Sequence, residues 1–182
     1  MFTAHVLFLV TALFSAGDSF PSGPPVGDKL GDFKVQGFSG PDAGKEFKVI
    51  EKTKGGPTLI IFMHAQAENG ITRPGLQFLR PVDKYAAENT KLATHIIWVT
   101  GDKEKTEGFL KRAEKSLSLQ SPVSICVDGA KAGPATYGLN DLVAITVLIA
   151  KDNKVIANFA LADPNANDSR KVIAAVAKVL GK

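Results

Sequence analysis

The chain has 182 residues, of which 45% are hydrophobic and 22% charged, and its formal net charge at pH 7 is +4. This length and balance predict one globular domain rather than a disordered or low-complexity chain. Lys and Arg are interspersed with Asp and Glu and form no basic block, so we expect no nucleic-acid partner. No internal stretch reaches the roughly 18 apolar residues of a membrane-spanning helix.

The N-terminus has the pattern of an export signal. Val6–Phe14 is an apolar run, and small residues follow it at positions 15–17. We therefore predict a signal peptide over residues 1–19, a Pro/Gly-rich linker over 20–31 and the domain over 32–182. The product would be periplasmic or extracellular. The alternatives are that the apolar run is a buried element of the domain or a retained membrane anchor. Only an anchor would give membrane contact.

The first half of the domain reads as two short strands, a buried strand and a helix. Phe33–Phe38 alternates apolar and polar residues, as an edge strand does, and Glu46–Ile50 predicts a second short strand. Thr58–Met63 is a continuous apolar run typical of a central parallel strand covered on both faces. The helix over Arg73–Asn89 begins near Thr72, a good N-cap residue. It contains an internal proline, Pro81, and its apolar stripe is predicted from Leu76, Leu79, Val82, Tyr85 and Ala86.

The second half continues the alternation of strands and helices. The patterns predict a strand at 93–99, a helix at 103–116, a strand at 123–127, a hairpin with strands at 145–150 and 155–159, and a last helix at 168–180. The order is β-β, then β-α-β-α-β, then a hairpin and a helix. We expect an α/β domain with a central mixed sheet of about five strands, helices on both faces and an N-terminal β-hairpin extension.

Three segments carry a family resemblance. Residues 24–47 (PPVGDKLGDFKVQGFSGPDAGKEF), 76–88 (LQFLRPVDKYAAE) and 137–159 (YGLNDLVAITVLIAKDNKVIANF) follow one another as in redoxins. From about Val26 to Leu180 the chain resembles the redoxin branch of the thioredoxin superfamily. That branch includes the alkyl hydroperoxide reductase/thiol-specific antioxidant proteins and exported thiol-disulfide exchange proteins. The resemblance implies a thioredoxin-like fold, and we expect no cofactor.

The family's catalytic cysteines are missing. Counted back from the helix proline, the two thioredoxin cysteine positions fall on Arg73 and Leu76. Counted forward from the buried strand, they fall on Ala67 and Gly70. Neither alignment contains sulfur, although thiolate chemistry of this kind uses a cysteine made acidic at a helix N-terminus. The resemblance therefore implies the fold without the usual chemistry.

Two further positions depart from the family. A peroxiredoxin has Thr-x-x-Cys at this helix, whereas here Gly75 stands three residues after Thr72. The position of the cis-proline that faces the cysteines in active members aligns with Ala144. Because a non-proline residue rarely adopts the cis form, we expect the neighbouring substrate-binding edge to be remodelled.

Cys126 is the only cysteine in the sequence. It ends a predicted strand in an apolar context, and a free cysteine there is typically a buried core residue. The alternative is a lone redox cysteine, which would need exposure and a cationic neighbour.

Arg73 with Thr72 is a candidate anion site, because a helix N-terminus favours negative ligands. The alternative is a solvated arginine paired with Glu68 or another surface acid. His64 with Glu68 could form an acid/base pair, but two ligands are too few for a metal site, so we expect no metal. His95 lies within a strand, where we expect a hydrogen-bonded or exposed imidazole. Asn167 begins an Asn-Asp-Ser sequon, whose use for glycosylation the sequence leaves open.

The leading hypothesis is an exported redoxin-like domain without the catalytic cysteine pair. It would act in binding or assembly through the loop His64–Arg73 and the edge at Val143–Ala144. Its partner would be a protein or a small anionic ligand. The alternatives are a thiol-dependent oxidoreductase or peroxidase acting through Cys126, and a small-anion binder at Arg73.

Overall fold

The structure is a computed structural model that describes residues 20–64 and 71–182. The predicted signal peptide therefore lies outside the described residues. The elements are β1 Lys34–Gly37, β2 Glu46–Lys48, α1 Val49–Thr53, β3 Thr58–Met63, α2 Arg73–Ala87, β4 Ala93–Trp98, α3 Lys103–Leu117, β5 Val123–Cys126, β6 Ile145–Lys151, β7 Lys154–Leu161 and α4 Ala166–Val179. None of these helices is long and apolar enough to cross a membrane.

One mixed sheet of seven strands organises the chain, in the order β2-β1-β5-β4-β3-β6-β7. β3, β4 and β5 run parallel, and the remaining pairs are antiparallel. We predicted a central sheet of about five strands with an N-terminal β-hairpin extension. The hairpin extends the sheet to seven strands, because β1 pairs with β5 and sets Val35 opposite Cys126.

The sheet is covered on both faces. All six residues of β3 are buried, and the five apolar ones alternate between two apolar cores. Leu59, Ile61 and Met63 face the first core, which contains the buried sides of α2, α3 and α4. Ile60 and Phe62 face the second core, with α1, Phe33 and Tyr137. The continuous apolar run in the sequence is thus explained by burial on both faces.

α2 begins as its sequence predicts. The Thr72 hydroxyl accepts a hydrogen bond from the Gly75 N–H at 3.2 Å, which makes it the N-cap. Pro81 lies inside the helix on its exposed side. The fully buried face includes Phe78, which the predicted stripe omitted, whereas two members of that stripe are only half-buried, Leu76 and Tyr85.

The second predicted strand, Glu46–Ile50, is shorter than expected. β2 ends at Lys48, and α1 begins at Val49. Val49 and Ile50 are both buried in the second core. Consecutive residues of a strand point to opposite faces, so a helical turn is needed to bury both on one side.

Residues 20–31, predicted as a linker, lie against the sheet. The Gly27 N–H donates to the Val155 carbonyl at 2.8 Å, and the Val155 N–H donates to the Asp28 carbonyl at 2.9 Å. Ser22 and Leu30 are buried. This segment is therefore part of the domain, and it covers part of the outer edge of β7.

A buried carboxylate ties α2 to the loop between α3 and β5. Asp83 is 2% exposed and accepts backbone hydrogen bonds from Gln120 at 2.7 Å and Ser121 at 2.9 Å. The pair of donors compensates for the loss of water around the carboxylate.

We predict that Asp83→Asn lowers the free energy of unfolding by about 2–3 kcal/mol, because one buried N–H would then face an amide donor. Chemical denaturation followed by circular dichroism would measure the change. Asp163→Asn, at an exposed site, is the matched control and should change stability little. Equal effects of the two substitutions would show that the Asp83 contacts are not important for stability.

Candidate functional site

The carboxyl ends of β3, β4 and β5 meet at one edge of the sheet, because these strands are parallel. His64 directly follows β3, and its N–H donates to the Ala144 carbonyl at 3.0 Å. The Ala144 N–H donates to the Leu161 carbonyl at 2.9 Å. The structure thus brings together the end of the central strand and the residue predicted to replace the family's proline. Among residues 20–64 and 71–182 there is no cis peptide bond.

The edge at Val143–Ala144, predicted as a binding edge, is occupied by contacts within the chain. Val143 is fully buried, and its N–H donates to the Asn140 carbonyl at 3.2 Å. Both backbone groups of Ala144 are also used. Leu142, with 60% of its surface exposed, and Asp141 remain accessible beside this edge.

The start of α2 is exposed and polar. Thr72 and Arg73 both lie at the surface, and the Thr72 hydroxyl acts as the helix cap. Leu76, one of the two positions where thioredoxin would have a cysteine, packs against the first core. Ala67, Glu68 and Gly70 lie outside the described residues.

Gly75 occupies the position of the cysteine in a Thr-x-x-Cys motif, and it is tightly packed. It is buried, and a Cβ added there would lie 3.0 Å from Cγ1 of Ile71 and 3.2 Å from Oγ1 of Thr72. A side chain at this position would displace its neighbours by a few tenths of an ångström. The helix start is therefore fitted to glycine.

His64 is buried in a chain of hydrogen bonds. Its Nε2 lies 2.8 Å from Oγ1 of Thr146, which lies 2.6 Å from Oγ of Ser22. Its Nδ1 is buried and has no hydrogen-bond partner among the described residues. Burial lowers the pKa of His64 to about 4, and the charge of Asp141 opposes this effect. The imidazole is therefore neutral at pH 7 and too weak a base to serve readily as a general base there.

Cys126 lies at the same edge of the sheet but faces the second core. It is 6% exposed, and its Sγ donates to the Asp128 carbonyl at 3.2 Å. Burial raises its pKa to about 12. At neutral pH it is thus a protonated, covered thiol, whereas reactive cysteines are exposed thiolates.

The other candidates lie away from this edge or have structural contacts. His95 lies 6.1 Å from the ring of Phe47, and burial and then the charge of Lys52 lower its pKa to about 4. Its Nδ1 has no hydrogen-bond partner among residues 20–64 and 71–182, and the residue is half-buried in β4. Asn167 is exposed in the first turn of α4, where Asp168 forms the capping box. The described residues contain no group of three metal-ligating side chains.

Sequence reasoning missed the polar side chains that surround His64. Ser22 lay in a predicted linker, and Thr146 lay in an apolar strand. Asn158, whose amide donates to the Ser22 carbonyl at 2.9 Å, lay in the second strand of a hairpin. Separations of more than 80 residues between hydrogen-bonded partners leave no local spacing to detect.

The buried His64 and the half-buried His95 predict acid sensitivity. Each has a pKa of about 4 in the folded protein against 6.5 unperturbed, so the unfolded chain binds more protons between these values. Stability should therefore fall as the pH drops from about 6.5 to 4, by about 3 kcal/mol for each histidine. Urea denaturation across this range would measure it. His64→Gln should reduce the pH dependence by about half, and an unchanged profile in that variant would contradict the assignment.

We compared the sequence and the structure with those of known proteins. The sequence matches no family model and no curated protein. A candidate thiol:disulfide interchange protein DsbE from Chlorobium tepidum is similar in structure, with a TM-score of 0.65 and 16% identity over 86% of this chain and 99% of that chain. The exposed lipoprotein thioredoxin Etrx1 from Streptococcus pneumoniae has a TM-score of 0.58 and 19% identity over 81% of this chain and 99% of its own.

A thiol peroxidase from Chromobacterium violaceum is similar to a comparable degree, with a TM-score of 0.57 and 17% identity over 88% of this chain and 90% of that chain. At these identities the likenesses establish the fold alone. The described elements, in their observed order, agree with that fold. The chain therefore has the thioredoxin-like fold of the redoxins, and with Cys126 as its single cysteine it lacks a catalytic cysteine pair.

Proposed function

We propose that this chain is an exported, non-catalytic redoxin-like module that acts by binding a partner protein. The observation that carries the proposal is the chemistry at the start of α2. Thr72 caps the helix there, Arg73 is exposed, and Gly75 is packed where a peroxidatic cysteine would stand. A redoxin needs an accessible thiolate, and this position supplies none.

The burial of Cys126 also supports a non-catalytic role. The thiol is covered, its proton is held by the Asp128 carbonyl, and burial raises its pKa to about 12. Attack on a disulfide or a peroxide requires the deprotonated sulfur to reach the substrate. Both exposure and ionisation would have to change before Cys126 could react.

The binding surface that we propose is the carboxyl edge of the parallel strands. Leu142 is 60% exposed, and the Asn140 side chain links it to Pro21, the residue that follows the 45% exposed Phe20. The Asn140 amide donates to the Pro21 carbonyl at 3.3 Å, and its Oδ1 accepts from the Leu142 N–H at 3.0 Å. Exposed apolar side chains with polar neighbours are typical of protein contact surfaces.

Export is part of the proposal. It is supported by the apolar run Val6–Phe14 with its small-residue flank. One structurally similar protein is described as an exposed lipoprotein thioredoxin. N-terminal sequencing of the protein recovered from its native host would test the cleavage predicted near residue 18.

We predict that the folded protein has no thiol-disulfide reductase or peroxide turnover. Cys126 should react with a disulfide reagent about a hundredfold or more slowly than a free cysteine at neutral pH, and at the normal rate after unfolding. Insulin reduction, peroxide consumption and thiol titration with and without denaturant would measure this. Cys126→Ser is the matched control and should give the same absence of turnover.

The competing function, an oxidoreductase or peroxidase acting through Cys126, predicts the opposite result. Turnover that is abolished by Cys126→Ser, with fast labelling of the folded thiol, would overturn the non-catalytic proposal. It would also require the cover over Cys126 to open in solution.

A second candidate function is small-anion binding at the start of α2. It is favoured by the absence of acidic residues in the first turn of this 15-residue helix, where Arg73 adds a positive charge beside the positive end of the dipole. A bound anion would relieve that repulsion.

We expect phosphate, if it binds there, to shift the amide resonances of Gly75 and Leu76 in an NMR titration. Arg73→Ala should abolish these shifts, whereas Arg112→Ala, an exposed arginine of α3, should preserve them. No shift in the unaltered protein would dismiss the anion site.

A further inference from the structure

A continuous chain of buried hydrogen bonds joins the N-terminal segment to the end of β3. Ser22 Oγ lies 2.6 Å from Thr146 Oγ1, which lies 2.8 Å from His64 Nε2. The exposed fractions of these residues are 3%, 0% and 2%. Thr146, on β6, is therefore the direct link between the two ends.

The N-terminal strap, residues 20–24, is held closely against that link. The Asn158 amide donates to the Ser22 carbonyl at 2.9 Å and to the Pro24 carbonyl at 3.0 Å. Gly23 has a φ of +85°, and a Cβ added there would lie 3.1 Å from Cγ2 of Thr146. The strap thus packs directly on the threonine whose hydroxyl contacts His64.

The available donors and acceptors determine the direction in which these hydrogen bonds run. Ser22 Oγ accepts from the Asn140 N–H at 3.0 Å, so its own proton is free to go to Thr146. Thr146 can then donate to His64 Nε2, and the imidazole proton is on Nδ1. Within residues 20–64 and 71–182, the reverse direction would leave both the Ser22 proton and His64 Nδ1 without partners, whereas this direction leaves only Nδ1–H unpaired.

We propose that Ser22, Thr146 and His64 form a latch through which the docked strap selects the Nδ1–H tautomer of His64 at the edge of the sheet. Without the Ser22 hydroxyl, Thr146 Oγ1 loses its donor and can accept from Nε2–H instead. Both tautomers then become possible. Conversely, removing the Thr146 hydroxyl takes away an anchor of the strap, so the coupling acts in both directions. This proposal is independent of the proposed binding function.

The protonation state of His64 and the charge of its neighbour Asp141 are both compatible with this arrangement. Burial keeps His64 neutral above about pH 4, so at pH 7 the hydrogen bonds rather than a charge change select the tautomer. Among the described residues, the charge of Asp141 acts on His64 and favours the protonated imidazole.

The first test is Ser22→Ala in the full chain, with the nitrogen resonances of the His64 side chain recorded by NMR at pH 7. The unaltered protein should show the Nδ1–H form. Ser22→Ala should show a mixture with Nε2–H. If the variant keeps the Nδ1–H form alone, the strap does not select the tautomer and the proposal is wrong.

The second test runs in the opposite direction and uses amide hydrogen exchange of the strap. Thr146→Val removes the hydroxyl with little change of shape, and exchange of the Gly23 N–H should become about tenfold faster or more. Thr94→Val is the matched control, because the Thr94 hydroxyl on β4 is buried and has no partner in the part of the chain that the structure describes. Equal Gly23 exchange in the two variants would overturn the latch. If Thr146→Val does not fold, the Ser22→Ala result decides alone.

Discussion

The burial of β3 on both faces is the constraint on which the rest of the structure depends. Its five apolar residues alternate between two cores, so neither face of the strand can carry a polar side chain without a partner. A polar side chain that could contact a ligand is therefore expected only where the strand ends, at His64. The same edge receives the carboxyl ends of β4 and β5 and the start of α2, which is where ligands of open α/β sheets usually bind.

At that edge the described polar groups have structural contacts. The helix start is capped by Thr72 and closed by Gly75, and His64 is neutral and hydrogen-bonded inside the protein. Cys126 ends β5 at the same edge of the sheet, but its side chain packs in the second core. The edge therefore keeps the geometry of a thioredoxin-like site while its polar atoms stabilise the fold, and this is the physical basis for proposing binding rather than turnover.

Local signals in the sequence predicted the local structure well. The apolar run at Thr58–Met63, the cap at Thr72 and the charged helix after residue 102 all form as expected, because each depends on neighbours a few residues away. The pairing of the hairpin with β5 was not predicted, since it joins residues about ninety positions apart. The strap was taken for a linker because Pro and Gly are typical of linkers, although here side chains of distant strands hold it in place.

The candidate site was predictable in part for the same reason. The cap role of Thr72 and the core position of Cys126 follow from local patterns. The partners of His64 do not, because Ser22 and Thr146 come from opposite ends of the chain. A polar residue in a predicted linker and another in an apolar strand carry no sign that they will meet.

The close packing of Gly75 bears on how this protein could change over evolutionary time. A mutation to cysteine at that one codon would place its side chain against Ile71 and the capping hydroxyl of Thr72, and these neighbours would have to move by a few tenths of an ångström. A thiol at this helix start would therefore be accommodated best together with substitutions at these neighbours. Such a combination of changes is harder for selection to reach than a single substitution.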